Sequence, residues 1–102
     1  MSEVIYKIAP RAEWEAAVRE GVYRGSKDDA RDGFIHFSRQ NQLSGVLLRH
    51  FSGQDDLLLI SVRADSLGAA LRFEPSFSGE MYPHLYGEFA TSLAIEVKPI
   101  GA

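Results

Sequence analysis

The middle of the chain contains six consecutive residues, Leu57-Leu58-Leu59-Ile60-Ser61-Val62, that are almost entirely apolar. In an extended backbone, successive side chains point to opposite faces of the sheet, so this segment presents apolar groups on both faces. Such a strand is stable where both faces of its sheet are covered. A polar turn that contains glycine, residues 52–56, comes directly before it. We therefore predict a central β-strand that the remaining segments must surround.

Three more segments have the β-branched and aromatic composition that is typical of strands. They are residues 4–8, 71–75 and 93–98. In the first segment, alternation places Tyr6 and Lys7 on opposite faces, and Pro75 either ends the second segment or places it at a sheet edge. In the last segment, strict alternation predicts that Ile95 and Val97 face the core, while the charged residues between and after them face water.

Two short helices are predicted. The first begins after Pro10, buries Trp14 on an apolar stripe and ends at Gly21, which can adopt a left-handed conformation. The second begins at Ser38, whose hydroxyl can accept a hydrogen bond from a free amide in the first turn. Residues 27–33 are predicted to form a polar connection. Together with five or six strands, these helices predict an α+β fold.

Length and composition limit the classes of function. With 102 residues, the chain is long enough for one hydrophobic core and too short for two, so residues 1–102 are predicted to form a single domain. A formal net charge of −3 argues against DNA binding through phosphate contacts. No apolar stretch is long enough to span a membrane, and Met1-Ser2-Glu3 lacks the basic and apolar regions of a signal peptide. We expect a cytoplasmic protein that does not bind a membrane.

Two short segments combine a histidine with aromatic residues and glycines, which is an uncommon composition for a simple core. They are Asp32-Gly33-Phe34-Ile35-His36-Phe37-Ser38 and Tyr82-Pro83-His84-Leu85-Tyr86-Gly87. Strand geometry turns His36 and Ser38 to the same face, and a histidine beside apolar residues can bind a ligand or transfer a proton near neutral pH. Structural alternatives remain open for both histidines. His36 could cap a backbone carbonyl, and the segment around His84 could be a rigid turn with Tyr86 in the core.

A hydrolase triad and a metal site both need residue types that the chain contains, but at a spacing that the chain does not have. Asp32, His36 and Ser38 are the residue types of a hydrolase triad, but on one short segment their spacing does not aim the imidazole at the serine oxygen. A metal site would need His36, His84 and a carboxylate, and no close histidine pair supplies two ligands from one element. The chain also contains no cysteine, which excludes thiolate catalysis and disulfides. We predict neither a hydrolase triad nor a metal site.

Six segments in sequence order resemble the bacterial domain of unknown function 952 (DUF952) family across nearly the full length of the chain. They are Ile5-Tyr6-x-Ile8, Glu13-Trp14, Gly33-Phe34-Ile35-His36-Phe37-Ser38, Gly53-Gln54-x-Asp56-Leu57, Leu71-Arg72-Phe73-Glu74-Pro75 and Pro83-His84-Leu85-Tyr86-Gly87. The resemblance implies a fold related to ADP-ribosyltransferases, in which a split, mixed β-sheet forms a cleft for NAD. It implies a fold more directly than an activity, because one fold supports many chemistries.

The segment from Ile35 to Ser38 is also similar to the histidine-x-histidine-leucine-serine segment of RNA 2′-phosphotransferases, which use NAD. In those enzymes the segment lies beside the bound nucleotide. The resemblance implies that His36 donates a hydrogen bond to a ribose or phosphate oxygen and that Ser38 assists it. It also implies that His84 and Arg72 reach an anionic part of the ligand. An RNA end is accordingly a second, less favoured ligand.

Lys7 occupies the position at which both groups usually carry a histidine that holds the NAD ribose. A lysine can bind phosphate but does not reproduce the geometry of an imidazole. With Tyr6 and Tyr86 as further ligand-binding candidates, we expect a domain that binds NAD or a related nucleotide and acts at the nicotinamide ribose. NAD would be a substrate and not a permanently bound cofactor.

His36 and His84 are the catalytic candidates for such a transferase, and Glu80 and Glu88 are candidates for the carboxylate that stabilises an oxocarbenium-like centre. The alternative is a non-catalytic module that binds a small anionic metabolite and has lost transferase chemistry. The lysine at position 7 favours this alternative. A third reading is an accessory domain that binds a partner chain through exposed aromatic residues.

Overall fold

The computed structural model describes residues 3–100, so Met1 and Ser2, part of the argument about a signal peptide, lie outside the described residues. The strands are β1 (Val4–Pro10), β2 (Val22–Tyr23), β3 (Ile35–His36), β4 (Leu57–Arg63), β5 (Leu71–Pro75), β6 (Met81–Leu85), β7 (Phe89–Ala90) and β8 (Ala94–Pro99). The α-helices are α1 (Arg11–Glu20), α2 (Lys27–Asp32) and α3 (Leu43–His50). Short 3₁₀ segments span Gln40–Gln42, Ala64–Ala70 and Thr91–Leu93.

The strands form three sheets within the described residues, in the orders β1-β4-β8, β2-β7 and β3-β6-β5. Every strand pair in these sheets is antiparallel. The predicted α+β class is confirmed, whereas the predicted mixed sheet is corrected to separate antiparallel sheets. The backbones of Tyr6 and Ser38 form an isolated bridge that joins β1 to the chain just after β3.

The predicted central strand is confirmed as β4, which lies between β1 and β8. Its buried residues Leu58, Ile60 and Val62 belong to the main hydrophobic core. The predicted first helix is also confirmed. Trp14 of α1 packs in this core, and Gly21 caps the helix at φ +86° with its N–H on the carbonyls of the last turn. The longest α-helix, α1, has 10 residues, and no helix between residues 3 and 100 has the length and apolarity needed to cross a bilayer.

The structure corrects the prediction that residues 27–33 are a loop, and with it the prediction of two helices. Residues 27–32 form α2, because Ser26 and Asp29 make a capping box in which each side chain accepts from the other residue's backbone N–H. Ser38 does not cap a helix. Both its backbone polar groups pair with Tyr6, and α3 begins at Leu43 after a 3₁₀ turn.

The prediction that Ile95 and Val97 face the core is wrong, because they remain 49% and 40% exposed. β8 is an edge strand, and α1 packs over β1 and β4, so the sheet extends beyond its helical cover. Tyr86 does not fill the core either. The segment before it is the strand β6, not a rigid turn, and Tyr86 is 40% exposed.

Candidate functional site

The strand register brings together three of the predicted site residues. His36 of β3 lies directly opposite His84 of β6, and Arg72 of β5 lies opposite His84 on the other side. Side chains of directly opposed residues project from the same face of a sheet. His36, His84 and Arg72 therefore form one row across this sheet, and the centroids of the two imidazole rings are 5.6 Å apart.

Two aromatic rings adjoin this row. Phe34 stacks on His84 with ring centroids 4.0 Å apart and planes inclined by 25°. The ring of Tyr86 lies 5.2 Å from that of Phe34, and the guanidinium of Arg72 lies over the Tyr86 ring at 4.9 Å. We call the surface formed by Phe34, His36, Arg72, His84 and Tyr86 the histidine face. The intervening residues Ile35 and Leu85 are buried in the core, so the histidine face is the outward side of this sheet.

His84 is held by a carboxylate on the neighbouring strand. Its Nδ1 lies 2.8 Å from Oε1 of Glu74, and the hydroxyl of Tyr86 donates to the same oxygen at 2.7 Å. The hydrogen bonds from Tyr86 and His84 lower the pKa of Glu74, and the bond to Glu74 raises the pKa of Tyr86. With Nδ1 engaged by a carboxylate, Nε2 is the nitrogen that His84 can offer to a ligand.

Both ring nitrogens of His36, in contrast, contact carboxylates. Nδ1 lies 2.6 Å from Oδ1 of Asp29, and Nε2 lies 3.0 Å from Oδ2 of Asp32. His36 thus fastens α2, which carries both aspartates, to the sheet.

Asp29 is the centre of a buried polar network beneath His36. It is 2% exposed and accepts hydrogen bonds from Nζ of Lys7 at 2.9 Å and from the backbone N–H groups of Ser26 and His36 at 2.8 and 3.1 Å. Burial alone raises the pKa of this carboxyl, but the hydrogen bond with His36 and the charge and hydrogen bond of Lys7 outweigh it. The pKa of Asp29 therefore lies well below its usual range.

Lys7 is buried within this network. It is 5% exposed, and its ammonium group bonds Asp29 and, at 3.1 Å, the backbone carbonyl of His36. Gly25 allows the close packing, because a Cβ at that position would lie 2.7 Å from Cβ of Asp29. Lys7 supports the histidine face from inside and is not exposed on it.

The structure separates the other candidates from the histidine face. Ser38 is buried, and Tyr6 lies with Val4, Arg39, Gln40, Asn41 and Glu3 along an open groove of about 810 Å³. The two candidate glutamates are engaged elsewhere. Glu80 accepts from the amide of Gln42 at 3.1 Å, and Glu88 accepts from Arg24 at 3.1 Å. Within residues 3–100 there is no group of three or more histidine and acidic side chains suited to a metal ion.

Sequence reasoning missed two of the three carboxylates that contact the histidines, Asp29 and Glu74. A signal for Asp29 was present, because Ser26-x-x-Asp29 is a capping-box pattern that predicts a helix at this point. Glu74 gave a weaker signal. Its place beside His84 depends on the β5–β6 register, which residue types alone do not specify.

Comparison with known proteins identifies relatives but no activity. The model of the family described as "Protein of unknown function (DUF952)" matches residues 8–97. The crystal structure of protein CC0527 from Caulobacter crescentus is 41% identical, covers 94% of this chain and 84% of its own, and has a TM-score of 0.91. The solution NMR structure of CC0527, also 41% identical, covers 94% of this chain and 83% of its own with a TM-score of 0.84. No functionally curated protein matches the sequence.

Proposed function

The chain belongs to the DUF952 family of proteins of unknown function, and we propose that its histidine face binds a nucleotide-like small molecule with an anionic group. The row formed by Arg72 and His84 is the observation that carries this proposal. Among the described residues, Arg72 makes no ion pair and its guanidinium lies over the Tyr86 ring. A guanidinium and an imidazole on the same face of a sheet are suited to a phosphate or carboxylate group.

The aromatic residues of the histidine face provide a place for the planar part of such a ligand. Phe34 and Tyr86 adjoin the Arg72–His84 row, and Tyr86 is partly exposed. Stacking of a base on an aromatic side chain contributes about 1–3 kcal/mol and does not depend strongly on the base. The pairing of a ring surface with a cationic group favours nucleotides over simple anions.

NAD is the nucleotide that the family resemblance favours, and we include it in this proposal together with an ADP-ribosyltransferase-like relationship. The division between the β1-β4-β8 and β3-β6-β5 sheets supports that relationship. The two sheets meet where Tyr6 and Ser38 pair, which is the arrangement expected of a split sheet.

Binding is better supported than transfer chemistry. Lys7, at the position where the NAD-using enzymes that the chain resembles usually carry a ribose-binding histidine, forms an ion pair with buried Asp29. Glu80 and Glu88, the carboxylates considered for catalysis, bond Gln42 and Arg24 instead of the histidine face. A binding module for a small anionic metabolite uses only groups that the histidine face exposes.

A second candidate is an enzyme that consumes NAD at the nicotinamide ribose, and the Glu74–His84 pair favours it. A carboxylate that orients an imidazole is a recurrent arrangement for proton transfer. In this version Glu74 or Asp32, not Glu80 or Glu88, lies near enough to the histidines to act. The two candidates differ in product formation, since a binding module leaves NAD intact.

An NMR titration of isotope-labelled protein with NAD, ADP-ribose and a phosphorylated RNA end tests both candidates. We expect shifts of His84, Phe34 and Tyr86 resonances, and intact NAD after hours of incubation. Release of free nicotinamide would establish the enzyme instead. Shifts confined to the groove beside Tyr6, or no shifts at millimolar ligand, would refute ligand binding at the histidine face.

The variant Arg72→Gln tests the anionic subsite. A charge-assisted hydrogen bond contributes about 1.5 kcal/mol or more, so affinity should fall at least about tenfold. Arg63→Gln is the matched control, because Arg63 is also an exposed strand arginine but lies in the other sheet. Equal affinities of the two variants would contradict a role for Arg72.

A further inference from the structure

We infer that β8 is an interface for a second copy of this chain, in which the two β8 strands pair edge to edge about a two-fold axis at Val97. The pairing joins the β1-β4-β8 sheets of the two copies into one continuous antiparallel sheet. In this register Glu96 lies opposite Lys98 of the second copy. The inference concerns a different sheet from the histidine face and does not depend on ligand binding there.

The β8 edge of this sheet is unpaired within residues 3–100. At the opposite edge, β1 is partly covered, because the backbones of Tyr6 and Ser38 form a bridge there. No described strand or isolated bridge lies beyond β8. An unpaired strand edge presents a row of N–H and C=O groups to which another strand can add.

The register with β4 determines which backbone groups of β8 point away from the sheet. The N–H of Ile100 donates to the first carbonyl of β4 at 3.0 Å, and hydrogen-bonded positions alternate with non-hydrogen-bonded positions along an antiparallel ladder. Because the register is regular over this stretch, the backbone groups of Lys98 and Glu96 also point towards β4. Those of Val97 point outwards, whereas Pro99 offers only its carbonyl there. Val97 is thus the position at which two copies can exchange a pair of backbone hydrogen bonds.

Charge selects one register among those that this backbone direction allows. An axis at Glu96 places two glutamates opposite each other, and an axis at Lys98 does the same with two lysines. Like charges directly opposite each other destabilise a strand pair. An axis at Val97 instead places each Glu96 opposite a Lys98, which is a favourable pair on both sides of the axis. Within one copy the two side chains are 60% and 57% exposed and make only a 4.0 Å contact.

Exposed apolar side chains accompany these charges. Val97 lies opposite the core residue Ile60 of β4 but is itself 40% exposed. It lines a groove between α1 and β8 together with Val18, which is 52% exposed. Directly opposed residues project from the same face of a sheet, so the axis at Val97 brings the two copies of this valine into contact. Burial of their methyl groups adds to the backbone hydrogen bonds.

The free part of the β8 edge is short. The register with β4 shifts at Ile95, and Pro99 has no N–H, so regular pairing is confined to the residues between them. Interfaces of small area are typical of weak, reversible association. We therefore expect a dimer in equilibrium with the monomer, with a dissociation constant on the order of 0.1 mM.

Sedimentation equilibrium of the full chain, from about 10 μM to 1 mM protein, measures this constant. Glu96→Lys and Lys98→Glu each place like charges across the axis, and each should weaken the dimer about tenfold. The double variant that combines them should restore the wild-type constant, because it reverses the pair and does not remove it. Glu88→Lys is the matched control. It makes the same change in net charge at an exposed position between β6 and β7 and should leave the constant unchanged.

The wild-type protein provides a second measurement that needs no variant. In NMR spectra the Val97 amide should shift with protein concentration and become protected from hydrogen exchange, whereas the Lys98 amide, which already bonds β4, should change less. A monomer at about 1 mM would overturn the inference. A dimer that tolerates both single variants would also overturn it, as would a dimer that the double variant fails to restore.

Discussion

Replacement of Lys7 by methionine tests the buried network that supports the histidine face. The substitution keeps the length and most of the apolar volume of the side chain but removes the ammonium group that lies 2.9 Å from Asp29. Asp29 then retains its two backbone donors and the His36 ring, in a site that is 2% exposed. Loss of one partner of a buried ion pair costs about 3–5 kcal/mol, because the other charge remains buried.

We expect a loss near the lower end of that range, about 3 kcal/mol, because His36 still offsets part of the charge of Asp29. For a domain of this size, such a loss lowers Tm by about 12–24 °C. Urea unfolding followed by circular dichroism measures the free energy directly. Arg11→Met is the control, because Arg11 forms an exposed pair with Asp56 and its removal should change stability little.

A double variant sharpens the test. Asp29→Asn alone should destabilise the protein, because it leaves the Lys7 ammonium buried beside a neutral amide. In the Lys7→Met background the same change should restore part of the stability, because it removes the unpaired charge, while the single amide oxygen can accept from only one of the two backbone N–H groups. If Lys7→Met unfolds at the same urea concentration as Arg11→Met, or if the two effects simply add, the account of the network is wrong.

The remaining predictions concern pH, packing and stacking. Because the pKa of Asp29 is lowered on folding, its contribution to the free energy of unfolding is complete above about pH 4 and is lost as pH falls towards the folded pKa. The free energy of unfolding of the Asp29→Asn variant, measured in urea, should therefore depend less on pH in this acid range. Burial, followed by nearby carboxylates, raises the pKa of Tyr23, so stability should decline above about pH 10, and Tyr23→Phe should remove that decline in alkaline unfolding curves. Gly25→Ala should cost more unfolding free energy than Gly53→Ala: both glycines have positive φ, but only at the first would the new Cβ clash, and equal losses would exclude the clash. Phe34→Leu should weaken adenosine monophosphate (AMP) more than inorganic phosphate in binding titrations, since only AMP carries a ring, and equal weakening would argue against stacking.

The elements that sequence analysis predicted correctly are those whose signals are local. The apolar segment of β4 specifies its own central position, and the stripe that contains Trp14 together with Gly21 specifies α1. β8 shows where local signals fail. Its residues alternate in the sequence, but Ile95 and Val97 are both exposed, because β8 is an edge strand and its register with β4 shifts at Ile95. Both are tertiary properties.

The candidate site could be predicted only in part, because its residue types are a local signal and its geometry is a tertiary property. The two histidine segments were identified from composition, but the opposition of His36 and His84 is a matter of strand register. Lys7 was a candidate ligand group because it occupies the position at which the NAD-using enzymes that the chain resembles usually carry a ribose-binding histidine. Its burial requires Asp29, which comes from a helix 22 residues further along the chain.

Intermolecular NOEs between a bound nucleotide, AMP or NAD, and the protein test the central claim most directly. The account predicts contacts from the base or ribose protons to the ring protons of Phe34 and Tyr86. It also predicts that Arg72→Gln weakens these contacts. NOEs to Tyr6 and to the side chains along its open groove, with none to Phe34 or Tyr86, would contradict the account and place the ligand in that groove.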